Sequence, residues 1–320
     1  MTKEQVLNSI ALKKRFCKNC NLPIDLFDEP YFSERLEILD FQFDCVRKFN
    51  EFCVEMEKFE DEQAYFQYYN TIKESVINMI KANSDFNKFL KDDFNEVNLL
   101  SHTAEVGNNN LYTEDNAGKS FISIDMKQAN FSALKHYSPN IFKGFGSWED
   151  YIGSFTNNEH IKNSKYIRQV ILGACNPKRQ VQYEKYLMTL LYNHIKKSLG
   201  EEVDVFSIGN DEIIIFAVSL KCSVKKLKEI IADCPDDIGS LVGLEVFDLD
   251  KIGDVGWIKN IYDETDGTVI DKVEFKGVNK EIYHQVIKHY RKQPIAENDL
   301  VFRYNGQLAK FLKEIDSPWK

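Results

Sequence analysis

Three acidic residues carry the strongest chemical signal in this sequence. Asp125 closes the apolar run 121–125 (FISID), and Asp211 and Glu212 stand where two further apolar, β-branched runs meet, 203–208 (VDVFSI) and 212–218 (EIIIFAV). Gly209-Asn210 between those runs predicts a hairpin turn. Should the hairpin and the 121–125 strand pair side by side, the three carboxylates converge at one sheet edge. Their repulsion makes that costly unless a cation neutralises them. Oxygen donors with no His or Cys alongside suit Mg²⁺ or Mn²⁺, and two such ions serve an in-line phosphoryl displacement. Singly, an Asp in a turn is a turn former and an Asp ending a strand is a helix cap. The joint pattern is what points to a site.

The elements that would position these acids are legible from periodicity. After Asp125, residues 128–137 predict a helix, as do 164–174 and 180–199, parted by Asn176-Pro177. A helix at 223–232, strands near 242–248, 255–262 and 268–275, and a helix at 280–292 follow. Residues 1–100 read as mainly helical: Phe41, Phe43, Val46, Phe49, Phe52, Cys53 and Met56 recur at three- and four-residue steps, and Tyr65, Tyr68, Ile72, Val76, Met79 and Ile80 continue them. The turn-rich stretch 105–119 divides the two parts. Its Gly118-Lys119-Ser120 is no phosphate loop, because Thr113 stands where the first glycine belongs.

The chemistry-bearing segments resemble the core motifs of template-dependent polymerases. FISIDMKQANFSALKHYS is similar to the first motif of reverse transcriptases and family-A DNA polymerases, an apolar strand ending in a metal-binding Asp before a helix. VFSIGNDEIIIF is similar to their hairpin motif, and KYIRQVILGACNPKRQVQYEKYLMTLL to the motif between them. The separations, 48 residues from Asp125 to Gly173 and 38 from Gly173 to Asp211, resemble those of reverse transcriptases and viral RNA polymerases. This chain departs in having Asn210-Asp211-Glu212 where reverse transcriptases have Asp-Asp.

The resemblance implies a palm: an α+β fold with an antiparallel sheet and helices on one face, spanning 120–275, after a helical region 1–104 that covers the site or docks a protein partner. A thumb-like helical segment 276–320 would follow. It implies nucleotidyl transfer to a nucleic-acid 3′-hydroxyl, with nucleoside triphosphates and a DNA or RNA primer and template as partners. Asp125 and Asp211 would hold Mg²⁺ or Mn²⁺, with Glu212 an accessory ligand or base. Lys165, Arg168, Lys178 and Arg179 would neutralise the triphosphate. Asn130, or Phe131 after a one-residue shift, would sense the sugar 2′ position. The phrase Gly-Asn-Asp-Glu also resembles the turn of diguanylate cyclases, and tRNA-His guanylyltransferases use a related palm. A palm that has lost catalysis and serves as a polymerase partner is the non-enzymatic alternative.

Composition bounds these readings. A net charge of -9 argues against a basic nucleic-acid coat. The charge is uneven, however: 161–200 holds eight Lys or Arg against the single acid Glu184, a footprint for phosphates. The stretch 276–294 holds five Lys or Arg and two His against Glu281. Seven scattered cysteines and the absence of a long apolar run predict a cytoplasmic protein with reduced thiols, neither secreted nor membrane-bound. Cys17-x-x-Cys20 is half a zinc knuckle and reads as a plain thiol pair. Trp148, Trp257 and Tyr262 read as core, and Asn-, Lys- and Phe-rich usage suits a viral or mobile-element source.

Overall fold

The computed structural model describes residues 1–94, 106–200, 203–217, 224–263 and 269–311. Ends of several expected elements, at residues 105, 218, 223 and 268, and the tail from 312, lie outside them. The first part runs α1 (Lys3–Asn8), α2 (Ile10–Asn19), α3 (Tyr31–Phe43), α4 (Cys45–Met56), α5 (Glu62–Ala82) and α6 (Ser84–Phe89). Next come β1 (Lys119–Met126), α7 (Ala129–Tyr137), α8 (Trp148–Gly153), α9 (Glu159–Lys162), α10 (Lys165–Gly173), α11 (Pro177–Leu199), β2 (Val205–Ile208) and β3 (Glu212–Phe216). The chain continues with α12 (Val224–Ala232), β4 (Val242–Ile252), β5 (Gly256–Tyr262), β6 (Ile270–Lys276), α13 (Tyr283–Tyr290), β7 (Val301–Tyr304) and β8 (Gln307–Lys310).

The protein is α+β. Strands β1–β6 form an antiparallel sheet in the order β2-β3-β1-β4-β5-β6. Helices lie between β1 and β2 and between β3 and β4, so strand, helices, hairpin, helix and strand interleave as a split βαβ arrangement with β1 at its centre. Successive strand residues point to opposite faces, and β1 uses both. Ile122, Ile124 and Met126 join a buried core with Phe131, Ile171, Leu187, Met188, Ile213 and Leu227, contributed by α7, α10, α11, β3 and α12. Phe121 on the other face packs with Ile214, Phe247, Leu249 and Trp257, beneath Leu111 of the 106–117 segment.

Local sequence explains the helices that flank this centre. The α11 helix begins with Pro177, whose missing N–H costs nothing there, and the Asn176 side chain accepts from Arg179 N. Ser164 caps α10 in the same way, and Asp61 caps α5. Residues of α5 and α6 (Ile72, Val76, Ile80, Phe86 and Phe89) enter the same core as the sheet. The remaining N-terminal helices share a second core with Ile252, Phe275, Val286 and Ile287.

The C-terminal stretch differs from the helical segment expected for 276–320. Among its described residues, 276–311, only α13 is an α-helix, and β7 and β8 form a hairpin. Asn305 and Gly306 at its tip have φ of 48° and 82°, the paired positive values that favour Asn-Gly in a tight two-residue turn. Trp148 is fully buried and Trp257 buried, while Tyr262 stays half-buried. Among the described residues no helix is long and apolar enough to cross a membrane.

Candidate active site

Register decides which acids meet. Asp125, near the end of β1, is the Cα partner of Glu212 on β3 and of Gly243 on β4. Two backbone bonds fix the hairpin tip: Met126 N donates to the Asp211 carbonyl at 2.8 Å, and Gly209 N donates to the Glu212 carbonyl at 2.7 Å. Ser123, one pleat back from Asp125 on the same face, donates its hydroxyl to Glu212 Oε1 at 2.5 Å. Opposite Ser123 on β4 stands Glu245, whose Oε2 lies 2.7 Å from Lys259 Nζ. The buried Lys259 ammonium also sits 4.3 Å from the centre of the Phe247 ring.

Asp125, Glu212 and Glu245 therefore share the helix-free face with one cation, and Asp211 stands at the hairpin tip beside them. Partial desolvation, followed by Glu212, Asp211 and Glu245, pushes the Asp125 carboxyl up to about 6, with Lys259 opposing. Asp211 is exposed in the turn and is felt a second time across the hairpin by Glu184 on α11. Burial first and Asp211 second push the Glu184 carboxyl up to about 7.

A cleft opens on each member of the Asp125–Glu212 pair. The one at Asp125, about 650 Å³, is lined also by Lys127, Lys228, Ser240, Gly243 and Glu245. Gly243 makes room for the Lys127 stem, since a Cβ there would meet Lys127 Cε at 3.2 Å. The cleft at Glu212, about 390 Å³, is lined by the Asn108–Asn110 run, Tyr112, Ser207 and Lys259.

Oxygen-only donors, and an Asp125 whose ionisation is opposed by neighbouring carboxylates, fit a hard divalent cation in donor type and charge. Asp125, Glu212 and Asp211 are the residues that could hold it. Among the described residues no three His, Cys, Asp or Glu side chains are gathered closely enough to hold a metal ion. Ser123 instead holds one Glu212 oxygen.

The basic residues expected at the triphosphate do not assemble around these acids. Arg168 is buried on α10 among Ile167, Ile171 and Leu172, where desolvation lowers its pKa against the pull of Glu149. Arg179 packs its guanidinium 4.2 Å from the centre of the Phe94 ring and donates from Nε to the Phe89 carbonyl at 3.1 Å. Lys178 is exposed on the first turn of α11. Lys165 opens onto a separate cleft of about 1180 Å³, beside Cys20, His160 and Lys48. Phe131 packs in the core, 4.6 Å from the Phe142 ring and 6.2 Å from Trp148, and Asn130 is half-buried on the first turn of α7. Cys17 and Cys20 are free thiols; burial pushes Cys20 up to about 11.

Sequence reading did not find Glu184, Glu245, Lys259 or Lys127. Glu184 carried a signal, because it falls in the buried stripe Tyr183-Glu184-Leu187-Met188-Leu191, where an acid needs a reason. Glu245 and Lys259 depend on the β1–β4–β5 register, which no local pattern reveals. The chain matches no protein-family model, and no curated protein sequence is significantly similar to it.

Proposed function

We propose that this protein is a metal-dependent nucleotidyltransferase of the polymerase type, in which a nucleic-acid 3′-hydroxyl on a palm-like sheet bonds to the α-phosphorus of a nucleoside triphosphate as the bond to the β-phosphate breaks, releasing pyrophosphate and the hydroxyl proton. One observation carries this reading: Asp125 and the acid-bearing hairpin, 86 residues apart, are neighbours on the helix-free face, with the Asp125 carboxyl pushed up by partial burial first and by the acids around it second. Such repulsion is relieved by a divalent cation. Asp125, Glu212 and Asp211 would hold Mg²⁺ or Mn²⁺, which when bound neutralises phosphate charge and aligns the attacking and leaving oxygens. Ser123 orients Glu212, and Lys259 balances Glu245. Lys127 and Lys228, lining the cleft at Asp125, are better placed for phosphate oxygens than the expected Arg168 and Arg179, which are engaged in packing.

Incorporation assays with all eight nucleoside triphosphates, Mg²⁺ or Mn²⁺, and both single-stranded and annealed primers test the proposal. Wild type yields labelled product, and Asp125→Ala combined with Asp211→Ala does not. No incorporation by wild type, or equal incorporation by the double variant, defeats it.

A further inference from the structure

The helix-free face that carries Glu212 is not open along its length. Residues 106–118 cross it as a strap, pinned at both ends. At one end Ile208 N donates to the Gly107 carbonyl at 3.3 Å, Asn109 N donates to Ser207 Oγ at 3.0 Å, and Asn109 Nδ2 donates to the Phe206 carbonyl at 2.6 Å. At the other, Gly118 N donates to the Leu249 carbonyl at 2.7 Å, and Lys251 on β4 forms an ion pair with Glu114. Between them Leu111 is buried against Phe121, Ile214 and Phe247, and the buried Asn116 side chain donates to the Leu111 carbonyl at 2.9 Å. What remains beside Glu212 is the cleft of about 390 Å³, near the lower end of small-molecule sites, roughly 300–1,000 Å³.

We propose that this cleft receives a single nucleoside unit, an unpaired 3′-terminal nucleotide or a free nucleotide, and that the strap excludes a base-paired primer end from Glu212. The inference rests on the nucleotidyl-transfer reading of Asp125 and Glu212. A paired terminus brings a second strand that can lie on this face only by lifting the strap and exposing Leu111. The lining suits one nucleobase. The half-buried Tyr112 ring, 6.4 Å from the Trp257 ring, lines the cleft where a base would stack, and the exposed Asn108 and Asn110 side chains offer amide groups to base edges. Asn110 Oδ1 already accepts from Tyr112 N at 3.1 Å, a local bond that holds the backbone between the two residues.

Two readouts on the full chain test this. The first compares incorporation into a single-stranded oligonucleotide, into the same strand annealed to a template, and into a free nucleoside triphosphate, with Asp125→Asn as the blank. The unpaired or the free acceptor is expected to exceed the annealed one by about tenfold, and which of the two does so identifies the acceptor. The second measures equilibrium binding of the labelled single strand, its duplex and the free nucleotide in the absence of turnover. Asn108→Ala with Asn110→Ala, both exposed positions, is expected to weaken binding of the unpaired ligand about tenfold, the scale of one base contact. Tyr112→Ala is the second variant. Equal or better use of the annealed primer, equal binding of duplex and single strand, or unchanged binding in these variants overturns the inference. Absence of transfer with the binding preference intact overturns the nucleotidyl-transfer reading alone.

Discussion

The two faces of β1 put opposite demands on one strand. On one side Ile122, Ile124 and Met126 are buried under helices, and each contributes roughly 1.5–3 kcal/mol of hydrophobic stabilisation. On the other, within the same eight residues, Ser123 and Asp125 face Glu212 and Glu245. Partly burying those like charges together opposes folding, and desolvation first and the neighbouring acids second push the Asp125 carboxyl up. The helix-backed face supplies the stability that lets the other hold an unfavourable arrangement of acids, and changes to each face should therefore have separable effects.

The largest expected effect falls on the acidic face. Asp125→Asn should lower nucleotide transfer on the order of a thousandfold while leaving thermal stability equal or higher, because it removes a repelled carboxylate; parallel activity and melting measurements check this. A loss of stability together with activity would break the separation between the faces. Truncation on the helix-backed face should do the reverse. Ile124→Ala is expected to cost about 2–5 kcal/mol in denaturant unfolding, with the acids still in register.

Glu184 lies between the two, an acid inside the helix-backed core, and its titration sharpens the comparison. Its folded value of about 7 stands above its ordinary 4.5, so the folded state holds the extra proton between those values. Stability from this group is complete below about pH 4.5 and declines as pH rises towards 7, by up to about 3 kcal/mol. Glu184→Gln should flatten the unfolding free energy over that range, read by denaturant titrations at several pH values. A wild-type curve already flat there contradicts the assignment. The smallest effect is expected for Ser123→Ala, which removes the hydroxyl held by Glu212 and should cost about 1 kcal/mol in the same unfolding assay.

Much of this arrangement was legible locally. The 121–125 run, the hairpin and the helices after Asp125 and Asn176 appear where apolar period, Gly-Asn and Asn-Pro signals put them. What failed was the reading of charge along the chain. The basic run 161–200 looked like a phosphate footprint, yet Arg168 shares a helical stripe with Ile171 and Leu172 and is buried by it. Arg179 lies against aromatic rings of the first part of the chain. In the 276–294 stretch, Lys276, Lys280 and Lys288 pair with Glu274, Asp25 and Asp299, and His284 is buried. A charge run shows composition, whereas burial and partners are tertiary facts. The same limit hid Glu245 and Lys259, which reach Asp125 only through strand register. The Asn305-Gly306 hairpin, by contrast, carried a local signal that an expected helix overrode.

Calorimetric titration of Mn²⁺ into wild type and Asp125→Asn, at pH 7.5 and again at pH 5, tests the central claim most directly. Binding should be measurable in wild type at pH 7.5, weaker at pH 5 where protons compete for a carboxyl pushed up to about 6, and lost in the variant. No Mn²⁺ binding by wild type, or identical isotherms for both proteins, contradicts the account of Asp125 and Glu212 as a cation site.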